Sequence, residues 1–300
     1  MYHKPVLLEP SLRGLSIKAD GIYIDATYGG GGHSRAILNK LSNKGRLIAF
    51  DQDEDVNINK VNDSRFLLIN SNFKYLNKFL KLNNIDKVDG ILADFGVSSH
   101  QFNSKERGFS TRFDGPLDMR MDKSQKLSAK IIINEYSEEK LIGLFKNYGE
   151  LKNSKQLTSV IGVQRSIAPI ISTNDLKKVV TPVLPNRFLN KTLAQLFQAL
   201  RIEVNNELEI IKDFLKQSSY SLSVGGRLVC ISYHSLEDRL VKRFIRDGKF
   251  HGQADKDIFG NTDLPFKKIG GVQRPSLDEI NINKRSRSGK LRVAEKIKLR

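Results

Sequence analysis

The stretch Asp25-Ala26-Thr27-Tyr28-Gly29-Gly30-Gly31-Gly32-His33-Ser34 decides the fold, because the apolar run Ile22-Tyr23-Ile24 leads into a carboxylate and then four consecutive glycines. A glycine in an ordered segment costs roughly 1 kcal/mol relative to alanine, so such a run belongs where the backbone turns tightly and a ligand comes close to it. Arg46-Leu47-Ile48-Ala49-Phe50-Asp51 reads as a second buried strand closed by an acid. It lies about 20 residues past the glycines, which is the spacing of a nucleotide-binding strand-helix-strand unit.

Working outward, short apolar runs closed by Asp, Asn, Gly or Ser predict strands over 21–26, 46–51, 66–70, 88–95 and 226–232, with two more over 266–269 and 289–295. Helix-like segments at 34–41 and 73–82 separate the early strands, so the order is strand, helix, strand. The expected fold class is α/β, with a Rossmann-like doubly wound, mainly parallel sheet. The long gap between the fourth and fifth strands carries helical signals and predicts an inserted helical domain. Ser137 caps one helix that stops at Gly149, Thr173 caps a shorter one, and 182–185 is a loop. A single long helix is expected from Lys191, with Leu193, Leu196, Phe197, Leu200, Val204, Leu208, Ile211 and Leu215 on one face, and 218–226 is a turn-rich link. The domain reading is 1–110 for the first part of the core, 111–190 for the insertion and 191–300 for the second part of the core with a basic tail.

Fifty Lys and Arg against 33 Asp and Glu give a formal net charge of +17, which favours polyanionic partners. The tail from Lys284 to Arg300 is dense in Lys and Arg, and Glu295 is its sole acid. No apolar run approaches the length of a membrane span, and the first residues lack an apolar signal core. Cys230 is the sole cysteine, so a disulfide scaffold is excluded and a cytoplasmic setting is expected.

The glycine run only partly matches the dinucleotide fingerprint, and no phosphate-loop Gly-Lys-Ser/Thr pattern occurs. Asp25, Asp51 and Asp94 place three carboxylates at the carboxyl edge of the sheet. That edge would repel a pyrophosphate and suits a cofactor with a sulfonium, an amino group and a ribose, as S-adenosylmethionine has. Asp51 is the expected acceptor for the ribose hydroxyls, and Phe73 is placed to stack near an adenine. Asp94-Phe95-Gly96 imitates a kinase magnesium motif, but the other kinase motifs are missing. Asp114, Asp118 and Asp122 are interleaved with Arg112 and Arg120, so no metal site is expected. Ser235 with Asp238 resembles a helix-capping arrangement, beside His234.

Taken in order, His3-Lys4-Pro5-Val6-Leu7-Leu8, the 25–34 turn, the 94–99 segment, the 107–122 loop, Phe197-Gln198-Ala199-Leu200-Arg201-Ile202, the 232–239 segment and Arg285-Ser286-Arg287-Ser288 resemble the bacterial 16S ribosomal RNA cytosine-N4 methyltransferase family. The resemblance spans nearly the whole chain. It implies a class I methyltransferase core with S-adenosyl-L-methionine as cofactor and an inserted helical domain. The implied substrate is a cytidine in the decoding region of 16S rRNA within the small ribosomal subunit. Cofactor contacts carry over to Gly31, Gly32, His33, Asp51, Phe73, Asp94 and Gln101. Asp94 is also the candidate catalytic acceptor for the base's amine, and the sequence leaves open whether it serves the amine or the cofactor. Arg107, Phe109, Arg112 and Arg120 in the loop, with Arg201, His234, Arg285 and Arg287, are the candidate RNA contacts. The chain departs from the family at Tyr148-Gly149-Glu150-Leu151-Lys152 and at Gln195, which puts RNA contact details in question and leaves the cofactor site intact. Two rivals stand beside this reading: a non-catalytic RNA-binding or ribosome-assembly protein with a relic pocket, and a NAD-dependent oxidoreductase. The oligomeric state stays open, a homodimer included.

Overall fold

The computed structural model describes residues 5–298, so His3 and Lys4 of the first motif and the last two residues of the basic tail lie outside the described residues. Seven strands form one sheet in the order β3-β2-β1-β4-β5-β7-β6. They are β1 (Ile22–Asp25), β2 (Arg46–Asp51), β3 (Phe66–Asn70), β4 (Val88–Asp94), β5 (Leu222–Ser232), β6 (Phe266–Gln273) and β7 (Lys290–Lys296). The pairs β1–β2, β1–β4, β2–β3 and β4–β5 are parallel, and β7 runs antiparallel to both β5 and β6. This is the doubly wound, mainly parallel sheet expected from the sequence.

Twelve α-helices complete the described residues: α1 (Leu8–Leu15), α2 (Gly32–Leu38), α3 (Leu76–Leu82), α4 (Ser99–Asn103), α5 (Ala129–Glu135), α6 (Glu138–Asn147), α7 (Ser154–Ile167), α8 (Thr173–Val180), α9 (Leu189–Asn205), α10 (Glu207–Ser221), α11 (Ser235–Asp247) and α12 (Leu277–Ile282). None is long and apolar enough to cross a membrane.

The chain divides into two units, one made of 1–96 with 208–300 and the other of Val97–Glu207. In the first unit, successive strand residues point to opposite faces of the sheet. Ile24, Ile48, Phe50, Ile91, Leu228 and Cys230 pack on one face with Ile211, Phe214 and Leu215 of α10 and Val241 of α11. Tyr23, Leu47, Leu92 and Val229 pack on the other face with Leu12 and Leu15 of α1 and Ile37 of α2. Burial on both faces explains why these strands read as continuous apolar runs. Each such side chain contributes about 1.5–3 kcal/mol when fully buried.

The second unit has its own core of Leu117, Met119, Ile132, Leu141, Phe145, Leu157, Ile161, Leu176, Leu193, Leu196 and Leu200. Its limits differ from the 111–190 read from the sequence. Val97, Phe102 and Phe109 pack in this helical core, as do Leu193 to Val204 of α9, so the unit takes in residues at both ends. The single helix expected from Lys191 is two helices. Asn206 adopts the left-handed conformation (φ 50°) and ends α9, and the apolar positions beyond it, Ile211, Phe214 and Leu215, join the sheet core instead.

Three local readings also change. The cap of α8 is Ser172, which forms a reciprocal box with Asp175, while the Thr173 hydroxyl donates to the carbonyl of Phe113. The expected link at 218–226 is helix and strand: α10 runs to Ser221 and β5 starts at Leu222, with the Ser218 and Ser219 hydroxyls donating back to the carbonyls of Phe214 and Lys216 within the helix. The cap of α11 is His234 with Glu237 at its third position, not Ser235 with Asp238. Asp238 is held instead by Arg292 of β7, at 2.7 and 3.1 Å.

Candidate active site

The carboxyl end of β1 feeds the glycine turn, and hydrogen bonds from both neighbouring strands fix its path. The amide of Ala26 donates to Leu92 O of β4, and that of Tyr28 donates to Phe50 O of β2. Gly31 is the cap of α2 with φ 72°, and a Cβ there would stand 2.7 Å from the Tyr28 hydroxyl oxygen. At Gly32 a Cβ would stand 2.2 Å from Cγ of Pro5, so the turn closes only because no side chain is present. Pro5 of the first sequence motif is therefore the packing partner of the turn.

Asp25 is fully buried and works inside the turn, accepting from Ser34 Oγ at 2.7 Å and from the amide of Thr27 at 3.1 Å. Burial raises its pKa to about 7, with a smaller push from Asp51. Asp51 accepts from the amide of Gly29 at 2.8 Å with one oxygen and from the amide of Asp53 at 2.9 Å with the other. Burial lifts its pKa to about 6. The Gln52 amide also bonds this carboxylate, and of its four lone-pair positions Asp51 keeps capacity for a further donor such as a ribose hydroxyl.

Asp94 closes β4, with its amide donating to Thr27 Oγ1 at 2.7 Å and its Oδ1 accepting from the Tyr233 hydroxyl at 2.8 Å. Burial, with repulsion from Asp25 and Glu237, raises its pKa to about 7, against the lowering effect of the Tyr233 hydrogen bond. His33 lies 4.0 Å from Asp94, measured from Nδ1 to Oδ2. Its Nε2 is 3.2 Å from the carbonyl of Val6, which can only accept, so Nε2 carries the hydrogen and Nδ1 the lone pair. Burial lowers the His33 pKa to about 4, which keeps the ring neutral.

Phe73 is half-buried in an aromatic cluster, 5.2 Å from Phe214 and 6.2 Å from Phe95 between ring centroids. Asp51 and Asp94 thus end the two strands that flank β1, where the strand order reverses, and open parallel sheets bind ligands at that point. Gln101 belongs to the second unit, where its side chain accepts from the amide of Ser98 at 3.0 Å in the capping box of α4.

The 107–122 loop is bonded within itself more than its charge suggests. Arg107 is buried and donates to the carbonyls of Arg120 and Met121, both at 3.0 Å. Phe109 is 5% exposed. Arg120 makes a bidentate pair with Asp118 at 2.8 Å and donates to the carbonyls of Lys123 and Gln125. Asn205 ties the loop to α9, donating to Met119 O and accepting from the amide of Met121. These groups hold the loop's shape, whereas Arg112 and Phe113 are exposed. Arg201 is also engaged, in a bidentate pair with Glu207 at 2.8 and 2.9 Å. His234 caps α11 and lies 3.0 Å from Glu237. Arg285 is half-buried and Arg287 exposed beside β7.

Two residues missed from the sequence complete the arrangement. Tyr233 reaches Asp94, and the fully buried Glu237 accepts from the amides of Tyr233 and His234 at 2.7 and 3.3 Å. A Glu three residues after a helix cap is the signal for the second. The first carried no pattern beyond its place at the end of a strand.

The model of the MraW methylase family matches residues 1–297. The chain belongs to this family. The methylase is 56% identical over 296 residues to the ribosomal RNA small subunit methyltransferase H of Christiangramia forsetii, covering 99% of this chain and 98% of that one. It is 55% identical over 296 residues to the protein of the same name from Flavobacterium johnsoniae, again covering 99% and 98%. A solved rRNA methylase from Streptococcus thermophilus aligns with 96% of the methylase and 95% of its own chain, at 12% identity and a TM-score of 0.42.

Proposed function

We propose that this methylase transfers a methyl group from S-adenosylmethionine to the exocyclic N4 of a cytidine in the decoding region of 16S rRNA, acting in the cytoplasm on the small ribosomal subunit. The observation that carries the reading is the pair of carboxylates, Asp51 and Asp94, ending the strands on either side of the glycine turn. The residues fit the cofactor: a cradle that a Cβ would fill at Gly31, an Asp51 with spare acceptor capacity for a ribose hydroxyl, and acids suited to a cation. Gly31, Gly32, His33, Asp51, Phe73 and Asp94 line that site in this reading. When bound, the cofactor would supply an electrophilic methyl on a sulfonium whose sulfur keeps the carbon–sulfur bonding pair and becomes a neutral sulfide.

The N4 lone pair of cytosine is delocalised into the ring, so the amine is a weak nucleophile until an acceptor draws on its hydrogen. Asp94 fills that role: its carboxylate accepts from N4 and takes the proton that the new N–CH3 bond displaces. No covalent enzyme intermediate is needed, and alignment of amine and methyl supplies much of the rate. The base must leave its stack to reach the sheet edge. Exposed Arg112 and Arg287 meet the RNA in this reading. Arg107, Phe109, Arg120 and Arg201 act on it indirectly, by shaping the second unit. The names of the close relatives, which describe small-subunit ribosomal RNA methyltransferases, support the substrate class.

The test is incubation with labelled S-adenosylmethionine and small subunits lacking this modification. Label is expected in the 16S RNA and not in free ribosomal protein. Binding of the cofactor and of subunits with no transfer would favour the relic-pocket alternative.

A further inference from the structure

Tyr233 follows the last residue of β5, and its main chain is fixed by the amide hydrogen bond to Glu237. Its hydroxyl has one hydrogen, and that hydrogen goes to Oδ1 of Asp94 at 2.8 Å. At the other end the Asp94 amide is fixed by Thr27 Oγ1. The carboxylate is therefore held at its backbone and at one oxygen. The neighbour of the second oxygen is His33 Nδ1, 4.0 Å from Oδ2, and that nitrogen carries a lone pair because Nε2–H faces the Val6 carbonyl. Among the described residues, no side chain donates to Oδ2.

We propose that Tyr233 is a positioning residue for the methyl transfer: its hydroxyl occupies Oδ1 of Asp94, and so leaves Oδ2 as the oxygen that accepts the N4 hydrogen of the substrate base. The inference rests on the reading of Asp94 as the amine acceptor. Tyr233 acts as a donor and not as a base. Burial and the carboxylates of Asp94, Glu237 and Glu279 hold its pKa well above the usual phenol value. The titratable groups that face Asp94 are Asp25 on β1, His33 on α2, Tyr233 just after β5 and Glu237 in the first turn of α11. Two of these are acids that disfavour the ionised carboxylate, and the phenol hydrogen bond is the side-chain contact that favours it. Removing the hydroxyl therefore frees Oδ1 to compete for the base and makes Asp94 harder to ionise.

The experiment is the pH dependence of single-turnover methyl transfer to unmodified small subunits at saturating S-adenosylmethionine. It is run for the wild type, Tyr233→Phe, Asp94→Ala and a chain with 3-fluorotyrosine placed at position 233. Saturation keeps the titration of Asp51 out of the rate. In Tyr233→Phe the acidic limb should move upward by about one pH unit, the loss expected for one hydrogen bond to a buried charged acceptor. Cofactor affinity at alkaline pH should be unchanged. Fluorotyrosine keeps the shape of the residue and is the stronger donor, so its limb should move downward even if the phenylalanine variant folds poorly. An unmoved limb in the fluorotyrosine chain, or a uniform rate loss at every pH in Tyr233→Phe, would overturn the inference. Wild-type rates in Asp94→Ala would instead overturn the acceptor reading on which it rests.

Discussion

Replacing Asp25 by Asn should make the folded protein more stable above neutrality, and the size of the effect follows from the burial of one carboxyl. Asp25 has no exposed surface, and its pKa is raised from an ordinary 3.8 to about 7, chiefly by burial. An acid whose folded pKa exceeds its unfolded one supports the fold while it is protonated. That support is complete below about pH 4 and is lost as the pH rises through about 7. The gap of about three pH units, at about 1.36 kcal/mol each, sets a ceiling of about 4 kcal/mol lost between pH 4 and pH 8. Asparagine fits the same bonds: its oxygen keeps the Thr27 amide, and its amide group donates to Ser34 Oγ, which can accept as well as donate. Urea unfolding of wild type and Asp25→Asn at pH 5 and pH 8, without cofactor, measures the difference. The variant's advantage should be smaller at pH 5 and rise by about 1–3 kcal/mol at pH 8, because about two of the three pH units of lost support lie between those values. An advantage that is the same at both values, or a variant less stable at pH 8, would refute the burial argument.

Other outcomes follow from the same geometry. Asp51→Ala should weaken S-adenosylmethionine binding by about ten- to a hundredfold by calorimetry, the worth of one charge-assisted hydrogen-bonding group. Because the acids of the site are raised to about 6 and 7, affinity for the cationic cofactor should fall as the pH drops from 8 to 5.5 and the carboxylates take up protons. A flat affinity across that range would count against an acid-lined site. Gly32→Ala, which drives a methyl into Pro5, should cost about 1–3 kcal/mol of stability in thermal or urea unfolding, and Pro5→Ala in the same chain should recover part of it. Raising salt from about 50 to 200 mM should weaken RNA binding far more than cofactor binding, since only the former releases counterions; equal losses would defeat the polyanion reading.

Much of the fold was legible because its signals are local. The strands of a buried parallel sheet are short apolar runs, and here each ends in a polar residue such as Asp51, Asn70, Asp94 or Ser232. The acids of the candidate site were legible for the same reason, since they are strand ends. What the sequence hid depended on competition between partners. Ser235 with Asp238 and His234 with Glu237 are both acceptable caps for α11, and Arg292 of β7 decides between them by engaging Asp238. The apolar period from Leu193 to Leu215 runs on without interruption, yet the left-handed turn at Asn206 sends its two halves to different cores. The 107–122 loop looked like a charged surface. Arg107 and Arg120 instead satisfy backbone carbonyls within it, and a charge count cannot reveal that. Tyr233 escaped notice because its partner, Asp94, is 139 residues away.

The central claim is that this site makes N4-methylcytidine and that Asp94 is needed to do so. Its most direct test is methyl transfer from labelled S-adenosylmethionine to unmodified small subunits by wild type and Asp94→Ala, with nucleoside analysis of the digested RNA and cofactor affinity measured for both proteins. N4-methylcytidine from the wild type alone, with cofactor still bound by the variant, is the predicted result. A different methylated nucleoside, or the same product at the same rate from Asp94→Ala, would contradict the account.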